Sequence, residues 1–157
     1  MKNPIYLPNE PATLALGQTL AQACDNQGAW IYLSGELGAG KTTLVRGFLQ
    51  GLGYHERVKS PSYTLIEPYE FNHHFVYHLD LYRIAQSAEL SQLGLEEYFR
   101  QDAICLVEWP DHFLDVLPVP DLILYLRQHN AGRQIKFESK TPRGDAIMEY
   151  LLNGKNK

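Results

Sequence analysis

Between residues 29 and 53 the chain passes from a short apolar stretch, through a glycine loop, into a segment of helical periodicity. The loop reads Gly35-Glu36-Leu37-Gly38-Ala39-Gly40-Lys41-Thr42 and satisfies G-x-x-x-x-G-K-[ST]. At average glycine usage, fewer than about 1% of chains this long contain that pattern by chance. Glycines let the backbone curl until successive N–H groups point inward and form a concave anion nest. Lys41 then sets an ammonium against the outer phosphates of a nucleotide, and Thr42 offers a hydroxyl to Mg²⁺. Ala29-Trp30-Ile31-Tyr32-Leu33 has the apolar, β-branched and aromatic character of a buried strand. Leu44, Val45, Phe48, Leu49 and Leu52 share one helical face, and Gly51 and Gly53 supply termination sites. The helix N-terminus adds its positive dipole end to the loop.

With 157 residues, 45% of them hydrophobic and 20% charged, residues 1–157 are expected to form a single P-loop domain with a full core. The net charge is −4 and no basic run stands out, which argues against direct grip on DNA or RNA through phosphate neutralisation. A partner that binds nucleic acid on its behalf is compatible with that balance. Cys24 and Cys105 lie in apolar segments and are expected as buried free thiols. No signal peptide or apolar span of about 20 residues is visible, so a cytoplasmic protein without membrane contact is expected.

Patterning predicts strands alternating with helices. Residues 12–24 suit a helix, with Leu14, Leu20 and Ala21 apolar and Thr13 as its N-cap. Residues 54–62 read as a loop, and 63–71 and 75–82 as strands of a hairpin broken at Asn72-His73-His74. Residues 86–100 are mostly helical, with an interruption near Gly94. Residues 103–107 and 122–126 are buried strands, 134–137 an edge strand, and 142–152 a closing helix. The expected fold is α/β: a P-loop NTPase domain whose mixed, mostly parallel sheet is flanked by helices and carries a β-hairpin.

Two apolar strands end in acids, Glu108 after Ile104-Cys105-Leu106-Val107 and Asp80 after Phe75-Val76-Tyr77-His78-Leu79. Ligands of a doubly wound sheet bind beyond such carboxyl ends, so both acids compete for a metal beside the loop. Ser60-Pro61-Ser62-Tyr63-Thr64 is either a switch that senses the γ-phosphate or a plain Ser-Pro turn entering a strand. His73 and His74 lack a third ligand at metal-site spacing and read as exposed turn residues. His78 shares strand parity with Asp80 and either orients that acid or packs beneath it. No Asn-Lys-x-Asp guanine-reading element occurs, which favours ATP over GTP. No long insertion or Arg-rich lid follows residue 86, as a small-molecule kinase requires. That kinase is the alternative function, and a non-hydrolysing ATP-dependent scaffold is a third.

GELGAGKTT at 35–43, SPSYTL at 60–65, HLDLYR at 78–83 and EWP at 108–110, in this order, resemble the TsaE family, formerly YjeE. The resemblance covers nearly the whole chain; its members are small bacterial P-loop ATPases that support threonylcarbamoyladenosine formation on tRNA. Ser62 stands where the family usually has Thr, and the hydroxyl is kept. The resemblance implies ATP and Mg²⁺ as cofactors, with Gly35 to Thr43 around the phosphates and Lys41 as the phosphate lysine. It implies that Thr42 and Glu108 hold Mg²⁺ and that Asp80 is an essential acid near the metal shell or the attacking water. Lys41, Asp80 and Glu108 are then the catalytic set. Thr64 belongs to the switch-like loop, Trp109 lies beside the nucleotide, and Thr13, with the segment to Gly17, and Arg133 border the adenine side. The implied partner is a TsaB–TsaD complex, with tRNA met only indirectly. A TsaC-type enzyme makes the threonylcarbamoyl-adenylate that TsaD transfers. A TsaE-type chain hydrolyses ATP slowly alone and resets the complex between turnovers.

Overall fold

Strand β2 (Ala29–Ser34) is apolar along most of its length because it lies at the centre of a sheet covered on both faces. The computed structural model describes residues 4–25, 27–36, 38–59, 61, 64–92, 94 and 102–153. The other strands are β1 (Ile5–Leu7), β3 (Ile66–Phe71), β4 (His74–Asp80), β5 (Ala103–Glu108), β6 (Leu122–His129) and β7 (Gly132–Ser139). All belong to one mixed sheet in the order β1-β7-β6-β2-β5-β4-β3. Its parallel part is the central run β6, β2, β5 and β4. Antiparallel pairs flank that run on both sides.

Alternation along the central strands splits the core into two layers. Ile31, Leu33, Ile104, Leu106 and Leu124 pack under helices α1 (Glu10–Cys24), α2 (Lys41–Gly51) and the C-terminal helix Pro142–Asn153. Tyr32, Tyr77, Leu79, Cys105 and Val107 face the other way. They are covered by Leu81, Ile84, the short helix α3 (Ser87–Gln92) through Leu90, and Phe113 and Leu117. The C-terminal helix is therefore α4. The two cysteines sit in different layers, and burial pushes both thiols up to about 12, so neither is reactive at neutral pH.

Helices α1 and α2 touch backbone to backbone. A Cβ on Gly17 would lie 2.3 Å from the Leu44 carbonyl oxygen, and one on Gly47 would lie 2.3 Å from that of Leu14. At the end of the sheet away from the glycine loop, Arg143 donates to the carbonyl of Cys24 (2.5 Å) and so ties α4 to the end of α1. Asp121 accepts from the Trp30 N–H (2.9 Å) and from the Thr141 hydroxyl (2.7 Å), while that hydroxyl accepts the Gly144 N–H at the start of α4.

Several local expectations change. Thr13 is not a cap. Asn9 caps α1, its Oδ1 accepting the Ala12 N–H at 3.0 Å, with Pro11 in the first turn where a missing N–H costs nothing. Residues 134–137 are not at an edge, because β1 pairs with β7 from Ile5↔Ile135 to Leu7↔Arg133. The hairpin turn is Asn72-His73 alone, both with positive φ (47° and 66°), and His74 already pairs with Phe71. Strand β3 starts at Ile66 rather than 63, after Leu65 at φ 69°. Strand β4 ends at Asp80, whose Oδ1 accepts the Tyr82 N–H (3.0 Å) and closes a turn. Helix α3 ends at Gln92, Gly94 turns at φ 65°, and the rest of the helix expected to 100 lies outside the described residues.

Candidate functional site

Because β4 and β5 are parallel neighbours in register, Asp80 stands beside Glu108 and His78 beside Leu106. All four share the strand parity that faces the α1–α2 layer. The carboxyl ends of these strands open where β2 passes into the glycine loop and α2. Gly40 holds φ 104° immediately before Lys41, a conformation that only glycine adopts readily. Lys41, the first residue of α2, turns back into the loop and is 4% exposed.

Its Nζ donates to the Gly35 carbonyl at 2.5 Å and lies 3.9 Å from Glu108 Oε1. It also sits 3.6 Å from the centre of the Trp109 ring, a cation–π arrangement. Burial pulls the Lys41 pKa below the ordinary lysine value, and the charges of Glu108, Asp80 and Asp111 pull it partly back. Trp109 takes φ 59° as the chain leaves β5, and Tyr82 flanks its ring at 4.9 Å. Asp111, a third acid whose charge acts on Lys41, accepts from the Ser34 hydroxyl at 3.3 Å. Thr42 is exposed in the first turn of α2.

Glu108 is 4% and Asp80 7% exposed. His78, which shares its strand parity with Asp80, is fully buried. Its Nε2 hydrogen-bonds Glu108 Oε2. The backbone of Asp80 is tied to Leu65 and through it to Pro61: the Asp80 N–H donates to the Leu65 carbonyl (2.9 Å), and the Leu65 N–H to that of Pro61 (2.8 Å). Thr64 is exposed and donates to Glu67 Oε1 at 3.0 Å, so its hydroxyl faces that acid. Leu37, Ser60, Ser62 and Tyr63 lie outside the described residues.

On the other side of the loop a cavity of about 140 Å³ is lined by Asn9, Thr13, Gly40, Thr43, Gly132 and Arg133 among others. The crossing of α1 over α2 brings buried Thr13 there, and β7 brings Arg133 against Gly40, where a Cβ would lie 3.5 Å from its Nε. Sequence reasoning passed over Asn9, Ser34 and Asp111. Asn9 carried a signal, since Asn-Glu-Pro is a helix-start pattern.

Thr42, Asp80 and Glu108, the residues expected around a metal, carry oxygen donors, a hard set that suits Mg²⁺. Among the described residues no three or more His, Cys, Asp or Glu side chains are grouped to hold a metal. A cation here therefore needs phosphate oxygens and water as further ligands, as Mg²⁺ in nucleotide sites does.

The family model described as "Threonylcarbamoyl adenosine biosynthesis protein TsaE" matches residues 7–135. That span holds the loop, both acids, Trp109 and Arg133. The chain belongs to the TsaE family. A relative from Haemophilus influenzae, named tRNA threonylcarbamoyladenosine biosynthesis protein TsaE, is 39% identical over 152 residues, 94% of this chain and 96% of its own. A TsaE of the same name from Bacillus subtilis is 37% identical, over 94% of this chain and 92% of its own. The crystal structure of YdiB from Bacillus subtilis matches with a TM-score of 0.81 at 32% identity, covering 98% of this chain and 96% of that one. The TsaE fold and its P-loop nucleotide-binding character are thereby those of this chain. No helix among the described residues is long and apolar enough to cross a membrane.

Proposed function

We propose that the chain is a cytoplasmic Mg²⁺-dependent ATPase, weak alone, that docks on a TsaB–TsaD complex and sustains repeated threonylcarbamoyladenosine modification of tRNA. The observation that carries the ATPase reading is the convergence of a buried Lys41 with Glu108 and Asp80 beside the glycine loop. The pathway comes from the family, whose members bear that name.

Lys41 sets its ammonium against the β- and γ-phosphates, beside the N–H groups of Gly38 to Thr43. Thr42 and Glu108 would hold Mg²⁺, which when bound would supply neutralisation of phosphate charge. Asp80 accepts the proton of the water that attacks the γ-phosphorus, as the P–O bond to the β-phosphate breaks. Trp109, with Tyr82 packed against its ring, borders this side of the nucleotide. The adenine side lies toward the cavity of Thr13 and Arg133. Because the Leu65 carbonyl is bonded to the Asp80 backbone, a partner that reorders the loop around Thr64 also moves Asp80.

The test is phosphate release from ATP with and without TsaB–TsaD, alongside Lys41→Ala. The reading requires slow release by the chain alone, a rise with partners, and loss in the variant. Stoichiometric transfer to a metabolite would instead make it a kinase. Tight binding without release in the presence of partners would make it a scaffold.

A further inference from the structure

We propose that His78 is a positioning residue that fixes the rotamer of Glu108 and thereby the affinity of the site for its divalent cation. The inference rests on Glu108 being a metal ligand, as proposed above. His78 is 0% exposed and lies beneath the site. Its Nε2 meets Glu108 Oε2, while the other carboxylate oxygen, Oε1, looks toward Lys41 at 3.9 Å. The buried Nδ1 has no hydrogen-bond partner among the described residues. A proton on Nδ1 would therefore be an unsatisfied buried donor, and the bare Nε2 lone pair would face a carboxylate. The tautomer protonated on Nε2 avoids both. Its N–H occupies one oxygen of Glu108 from the core side and leaves a single oxygen presented to the nucleotide side. Carboxylates that bind metals depend on such outer hydrogen bonds for their aim.

Two measurements test this. Nitrogen-15 NMR of the imidazole in the nucleotide-free wild type is expected to show His78 protonated on Nε2 and bare on Nδ1. A bare Nε2 overturns the proposal. Calorimetric titration of Mg²⁺ into the ADP complex then compares His78→Leu with His78→Gln, whose amide nitrogen reaches near the Nε2 position. His78→Leu is expected to raise the half-saturating Mg²⁺ concentration about 10–100-fold. His78→Gln should recover most of that loss, and Mg²⁺-free ADP affinity should change far less than Mg²⁺ affinity in both. Unchanged Mg²⁺ affinity in His78→Leu, or a glutamine variant no better than leucine, overturns the proposal. Should His78→Leu not fold, His78→Gln against wild type and the NMR result decide. A wild type whose ADP binding ignores Mg²⁺ sinks the ATPase reading, and the tautomer still decides the His78–Glu108 contact.

Discussion

Lys41 sits in its loop as a buried cation whose carbonyl and ring partners only partly replace water. Its pKa is lowered from the ordinary 10.5, chiefly by burial. Between that lowered value and 10.5 the unfolded chain binds more protons than the folded one, so stability measured without nucleotide should rise with pH in that window. Nucleotide binding should have the opposite sign, because the proposed phosphate contact is the ammonium. ADP affinity should fall as pH rises through the same window, and a Lys41→Met variant should show neither slope. Urea melts and ADP titrations over stepped pH measure both. Lys41→Ala should abolish hydrolysis and cost about 2–5 kcal/mol of nucleotide binding, the usual loss for a desolvated charge contact. The two acids should separate. Glu108→Gln should most weaken Mg²⁺ dependence, whereas Asp80→Asn should lower phosphate release with ATP binding nearly intact. An Asp80→Asn protein that loses Mg²⁺ dependence while Glu108→Gln keeps it would exchange their roles.

At the scale of elements, the α1–α2 crossing controls the site from behind. Gly47→Ala places a methyl 2.3 Å from a backbone carbonyl, which forces the helices apart. Such overpacking costs about 1–3 kcal/mol and is read as a lower urea midpoint. Because α1 also carries Thr13 into the cavity beside Gly40, the same change should weaken nucleotide binding. Asn9→Ala removes only the cap bond, at a cost of about 1 kcal/mol, and leaves the crossing intact. The helix over 12–24 was legible from its apolar spacing, but its true start was not. The threonine at 13 suits a cap, yet burial at the crossing gives it another place. Likewise, 134–137 reads as an edge until the three residues of β1, too short to carry periodicity, pair alongside it.

For the whole molecule, the net charge of −4 sets the expectation for partners. Tight binding of free tRNA draws its affinity from cations against phosphates, which this chain has no evident excess of. Association with tRNA should therefore depend on TsaB–TsaD, and capture of the chain by that complex should depend on ATP. In a reconstituted modification reaction, Lys41→Ala and Glu108→Gln should stop repeated turnover. Normal turnover with either variant, or without the chain, would remove the proposed role while leaving the nucleotide site.

Local order in the chain determined the glycine loop, its strand and helix, the acids at two strand ends and the family resemblance. Each is a contiguous pattern whose chemistry depends on residues a few positions apart. What pairs with what was decided only by the tertiary structure. Strand register put Asp80 beside Glu108 and brought the histidine at 78 onto Glu108. The positive φ at Trp109 swung its ring over Lys41, and two glycines let α1 approach closely enough to join Thr13 and Arg133 across the loop. Those contacts depend on register, backbone crossing and burial between segments distant in the chain, which no local periodicity encodes.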